Sequence, residues 1–140
     1  VPAFFANCTY VWQALAHLDA VGDYVVLVSR KDDEPPVPGP NFRSVACWTP
    51  CHHALERWAL GAEAERLKLD LLHSPDFIPL FHRSFRSVIT VHDLAFLLYP
   101  HLLTRESARY YGQIDQAVRS ADHIIAVSET TKRDIIRLLG

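Results

Sequence analysis

The chain has 140 residues, 49% of them apolar and 21% charged, with a formal net charge of −2. That composition suits one soluble domain with its own core, and the near balance of charge gives no reason to expect nucleic acid as a partner. Three cysteines cannot all pair among themselves and form no secreted-type framework, which points to a reducing, cytoplasmic setting, and no apolar run reaches the roughly 18 residues that a bilayer span requires.

The opening stretch VPAFFANCTY has neither Met nor a basic lead-in. It does not read as a signal peptide, and the chain reads as a piece trimmed from a longer one. Tyr10–Leu18 places Val11, Leu15 and Leu18 on one helical stripe. Tyr24–Ser29 (YVVLVS) is a continuous β-branched run, and Arg30–Asn41, with four prolines and a charge run, is a loop. Phe42–Cys47 (FRSVAC) alternates, with a strand expected over Ser44–Cys47. Ala54–Leu67 is helical, with Leu55, Trp58, Ala59 and Leu67 on one face and Gly61 interrupting it. Short apolar runs at Leu69–Ser74, Ser87–His92 and His123–Ser128 predict strands near Asp70–His73, Val88–His92 and His123–Val127. Runs of this kind, apolar at successive positions, suit strands covered on both faces, as in parallel sheets. Thr104–Ala121 reads as one helix with Thr104 as its N-cap and with Ala108, Tyr111, Ile114, Asp115 and Val118 on a shared face. Ser128–Gly140 (SETTKRDIIRLLG) carries the strongest helical signals. Ser128 is its N-cap, Glu129 suits the positive end, Ile135, Ile136 and Leu139 form the inner face, and Gly140 closes it. Strand–helix alternation then predicts an α/β fold: a Rossmann-like, doubly wound, mostly parallel sheet with helices on both faces.

Ligands of such sheets bind beyond the carboxyl ends of the strands. Two strands here end alike, one in His73-Ser74-Pro75-Asp76 and one in His92-Asp93. As parallel neighbours they would share a rim near Ser128, where an imidazole can bond a hydroxyl or take its proton; capping of the strand ends is the plainer role. Cys47, Cys51, His52 and His53 have a spacing that suggests zinc, but adjacent histidines rarely reach one ion and no second ligand pair follows, so no metal is assigned. Ser128 opens a helix after a strand and could help hold an anion, although N-capping is its simpler role. No G-x-G-x-x-G, P-loop or nucleophile elbow occurs.

The stretches DLLHSPDFIPL (70–80), SVITVHDLAFLLYPHLLTRESARYYGQ (87–113) and ADHIIAVSETTKRDIIRLLG (121–140), in that order, resemble the amino-terminal domain of glycosyltransferase family 4. HHALERWAL (52–60) resembles the segment that precedes them, and the likeness runs from about Tyr10 to Gly140. Members are retaining GT-B enzymes, similar to bacterial mannosyltransferases. The resemblance implies that residues 1–140 form a single amino-terminal, acceptor-side domain. It implies His92 as the catalytic residue at the cleft, touching the donor sugar, with His73, Asp76, Asp93, Ser128 and Glu129 on the acceptor side or lining the cleft. The implied partners are a nucleotide-sugar donor, bound by a carboxyl-terminal domain absent from the chain, and a glycan or lipid-linked acceptor. It implies no cofactor, and a cytoplasmic place at or near the inner membrane face with peripheral membrane contact. Where the family has a Gly-rich loop, this chain has Ala6, Asn7, Cys8 and Thr9, and the first strand is missing. The expected consequences are that Val1–Ala6 fills that gap or that an unpaired edge leaves room for self-association, and that the chain alone is inactive. A metal-dependent hydrolase using His73, Asp76, His92 and Asp93, and a degenerate non-catalytic binding module, are the alternatives.

Overall fold

The computed structural model describes residues 3–30, 38–49, 56–77 and 83–140. The chain divides into two compact units, Val1–Cys51 and His52–Gly140.

In the first unit a helix, α1 (Ala3–Leu18), is followed by β1 (Tyr24–Ser29) and β2 (Phe42–Cys47). The two strands pair in parallel from Tyr24↔Phe42 to Ser29↔Cys47. The turn between α1 and β1 is built around Asp19. Its Oδ1 accepts from the amides of Val21 (2.8 Å) and Gly22 (3.0 Å), and its Oδ2 accepts from the Tyr24 hydroxyl at 2.7 Å. These three donors hold the Asp19 carboxyl below its usual range, the Tyr24 bond contributing most. Asn41 Nδ2 closes the turn from the second strand by donating to the carbonyls of Asp19 (3.0 Å) and Gly22 (2.8 Å). A Cβ at position 22 would stand 2.6 Å from Asp19 Oδ2, so a larger residue there would displace the carboxylate that organises the turn. The Tyr24 and Phe42 rings stack at 4.4 Å across the first pair of the ladder. Arg30 lies over the Trp48 ring, 3.6 Å from its centroid, just past the strand ends.

The second unit comprises α2 (Glu56–Glu65), β3 (Leu71–Ser74), β4 (Arg86–Val91), α3 (Ala95–Leu98), a 3-10 turn (Pro100–Leu102), α4 (Arg105–Tyr111), α5 (Ile114–Ser120), β5 (His123–Ala126) and α6 (Glu129–Leu139). The three strands form a parallel sheet in the order β3-β4-β5, with His73↔Val88 and Val91↔Ala126 in register. β4 is central and the most buried. Ile89 and Val91 lie on one of its faces at 1% and 0% exposure, packed with Phe77, Leu94, Phe96, Ile114, Ala117 and Ile135. Full burial of each such side chain stabilises by about 1.5–3 kcal/mol. A smaller cluster joins Ala64 and Phe85 to Leu60, Leu69 and Leu72.

The fold is therefore α/β with parallel strand pairing, as the alternation predicts, although the described strands pair as two sheets of two and three. Several local expectations are corrected. The chain is already helical from Ala3, so Ala3–Ala6 add no strand, and Val11 and Leu18 stay exposed at 44% and 84%. α2 runs through Gly61, which is buried, and packs through Leu60 and Ala64 while Trp58 is 51% exposed. The single helix expected over Thr104–Ala121 is two, α4 and α5, parted at Gly112 and Gln113. Tyr110, Tyr111, Ile114, Ala117 and Val118 keep one apolar stripe across the break and reach the core, while Asp115, beside that stripe, turns outward to Arg119. On α6 the inner face is Ile135 with Leu139, while Ile136 is 63% exposed.

Candidate functional site

Because β3, β4 and β5 are parallel, their carboxyl ends fall on one edge, and the amino end of α6 follows directly from β5. His92 is the first residue past β4 and is half-buried at that edge. Its Nε2 lies 2.9 Å from the carbonyl oxygen of Pro75, in the turn after β3. A carbonyl can only accept, so Nε2 carries the hydrogen.

The backbone of His92 is also held. Thr131 Oγ1 donates to the His92 carbonyl at 3.1 Å. With that hydrogen engaged, the 2.9 Å contact between Ser128 and Thr131 must run from the Ser128 hydroxyl to Thr131 Oγ1. Ser128 Oγ in turn accepts from the Thr131 amide at 3.0 Å, the N-cap bond of α6. The relay Ser128–Thr131–His92 thus fastens the start of α6 to the end of β4. Thr131 is 6% exposed, so replacing these bonds with water would require opening the edge.

Asp76 lies in the same turn as Pro75. Its Oδ1 accepts from the Phe77 amide at 2.7 Å and its Oδ2 from the Tyr110 hydroxyl at 2.8 Å. Asp93 is exposed, and its Oδ1 accepts from the Ala95 amide at 2.9 Å, tying the first turn of α3. Glu129 is exposed in the first turn of α6, where a carboxylate suits the positive end of the helix.

His73 behaves differently from His92. It sits within β3, and its Nε2 is 2.8 Å from Thr90 Oγ1 on the neighbouring strand. Burial pushes its pKa below the ordinary imidazole value, because the charged ring would be poorly hydrated. The edge therefore gathers His92, the Pro75–Asp76 turn, Ser128 and Thr131, while His73 is engaged inside the sheet. Two partners escaped the sequence reading: Thr131, three residues after the cap, and Tyr110, whose only sequence signal is an aromatic in a helical pattern.

His73, Asp76, His92 and Asp93 each turn to a separate partner. Among the described residues no group of three or more His, Cys, Asp or Glu could hold a metal ion. The arrangement thus gives a metal-dependent hydrolase no ligand set among them. Cys47 is buried in β2, and Cys51, His52 and His53 lie outside the described residues. Residues 31–37, part of the expected loop Arg30–Asn41, and residues 78–82 also lie outside them. Among the described residues no helix is long and apolar enough to cross a membrane.

Comparison with known proteins gives one finding. The model of the family described as Glycosyltransferase Family 4 matches residues 9–140. No curated protein matches the chain. No solved structure matches it.

Proposed function

Since the chain belongs to glycosyltransferase family 4, we propose that it is the amino-terminal, acceptor-side domain of a retaining GT-B enzyme, moving a sugar from a nucleotide-sugar donor to an acceptor hydroxyl. The observation that supports this most is the anchoring of His92 from two sides, its ring by Pro75 and its backbone by Thr131. A side chain held this way at the carboxyl edge of a parallel sheet is oriented before any ligand arrives. In that reading His92 lends a hydrogen-bonding group to the sugar as the bond to the leaving phosphate breaks. The acceptor, a glycan or lipid-linked alcohol, approaches from the side of the Pro75–Asp76 turn. Donor phosphates are neutralised by residues beyond these 140, so the chain taken alone transfers no sugar. Its place is cytoplasmic, with peripheral contact at the inner membrane face.

The test is turnover of the full-length protein with His92 replaced. His92→Ala should lower kcat by about a hundredfold or more while circular dichroism and melting temperature stay near those of the parent. Unchanged turnover sinks the assignment.

One observation favours a second reading, a binding module without catalysis. Ala6, Asn7, Cys8 and Thr9 lie inside α1, where backbone amides are engaged in i→i−4 bonds and are not presented to a pyrophosphate. Titration calorimetry of the full-length protein with nucleotide sugars separates the two. Donor binding accompanied by turnover supports the enzyme, and acceptor binding without donor binding supports the module.

A further inference from the structure

The turn that follows β3 is held at two points, and His92 is one of them. Pro75 has no amide hydrogen to donate, so its backbone can take part only through its carbonyl. That carbonyl meets His92 Nε2 at 2.9 Å. In a neutral ring this bond selects the tautomer with hydrogen on Nε2, leaving Nδ1 as the basic nitrogen. The second point is Asp76, the next residue. Its two carboxylate oxygens face in different directions: one caps the Phe77 amide at 2.7 Å, and the other receives the Tyr110 hydroxyl at 2.8 Å. Tyr110 reaches it from α4, 34 residues further along the chain. Phe77 is 5% exposed and packs against Phe96, Tyr110 and Tyr111 with ring centroids 5.9, 5.5 and 6.0 Å away. The turn is therefore pinned to α4 by a hydrogen bond and an aromatic cluster, and its free side carries the carbonyl that meets His92.

We propose that Asp76 and Tyr110 are positioning residues for His92: their hydrogen bond fixes the turn so that the Pro75 carbonyl selects the Nε2–H tautomer and aims the ring. This assigns Asp76 a different task from touching an acceptor. Both of its oxygens already serve protein groups, and it acts on the reaction through Pro75 and His92. The tautomer half of the proposal stands on geometry alone; the catalytic half rests on the role proposed above for His92.

The experiment is long-range proton–nitrogen correlation of the imidazole nitrogens in the labelled chain, at about pH 8, where an unperturbed imidazole is neutral. His92 should give the pattern of a single Nε2–H tautomer. Tyr110→Phe keeps the ring against Phe77 and deletes only the hydroxyl. It should change the His92 tautomer ratio by about fivefold, the equivalent of one ordinary hydrogen bond. If that variant does not fold, Asp76→Ala carries the same test, because it removes the acceptor of the Tyr110 hydroxyl. Asp122→Asn, at the opposite edge of the sheet, is the control: it should lower the melting temperature and leave the His92 ratio unchanged. An Nδ1–H pattern in the parent chain overturns the proposal. So does a His92 ratio that is unmoved in both Tyr110→Phe and Asp76→Ala, or one that moves equally in the control. If the tautomer responds as expected while His92→Ala turns over normally, the positioning stands and the glycosyltransferase role of His92 falls.

Discussion

His73 and His92 are both histidines at the carboxyl side of apolar strands, and their surroundings separate them. His92 donates from Nε2 to a carbonyl at the edge. His73 is tucked against Thr90, and burial depresses its pKa below the ordinary value of 6.5. A depressed pKa means that the unfolded chain binds a proton more readily than the folded one. The His73 contribution to stability is therefore fully present above about pH 6.5 and is lost as pH falls from there through the folded-state value. His73→Gln keeps a hydrogen-bonding group for Thr90 and removes the titration. Melting temperatures measured at about pH 7.5 and about pH 5.5 should fall more in the parent than in the variant; parallel falls would show that His73 is not the group responsible. The histidine–aspartate pair at the end of β4 and the H-S-P turn were both legible in the sequence. What their neighbours would be was not, because a tautomer or a buried pKa depends on atoms supplied by other elements.

At the scale of the element, α6 shows how a local signal acquires a second use. Ser128 as N-cap follows from a hydroxyl preceding a helical pattern, and Thr104 caps α4 in the same way, accepting from the Ser107 amide at 3.1 Å. Thr131 then extends the cap to the end of β4. Ser128→Ala should cost about 1 kcal/mol. Thr131→Val should cost about 1 kcal/mol, because it removes the hydroxyl that donates to the part-buried His92 carbonyl. Chemical denaturation measures both, and a Thr131→Val cost no larger than a surface substitution would contradict the relay. The α4–α5 break was illegible for a related reason. The apolar pattern continues across Gly112 and Gln113, and a Cβ at Gly112 would stand only 2.9 Å from the Ala108 carbonyl; the break is confined to the backbone and leaves no mark in that pattern.

Across the second unit, a charged network and the candidate site occupy opposite edges of the three-stranded sheet. At the amino edge Arg83 pairs with Asp122 at 2.7 Å and donates to the carbonyls of Phe85 (2.6 Å) and Ser120. Asp122 also accepts from the Ser87 amide at 2.7 Å, and that bond, ahead of the Arg83 contact, holds its carboxyl below the usual range. The carboxyl edge is left to His92 and the two turns. Between them Ile89, at 1% exposure, lies in the middle of the core cluster. Ile89→Ala should cost about 2–5 kcal/mol, and amide exchange should be slowest in β4 of the parent chain. A cost below about 1 kcal/mol would mean that the unit does not fold around this strand.

The amino-acid sequence by itself determined where the strands lie and where α4 and α6 begin. Continuous β-branched runs, caps and their first turns act over a few residues, so they can be read along the chain. It also determined the family, through the order of three motifs. Folding alone decided which side chains meet at the edge. His92 finds Pro75 across 17 residues, Asp76 finds Tyr110 across 34, and Thr131 finds the His92 carbonyl across 39. Those pairings depend on strand order, register and the phase of α4, and no periodicity within a single element encodes a hydrogen bond to another.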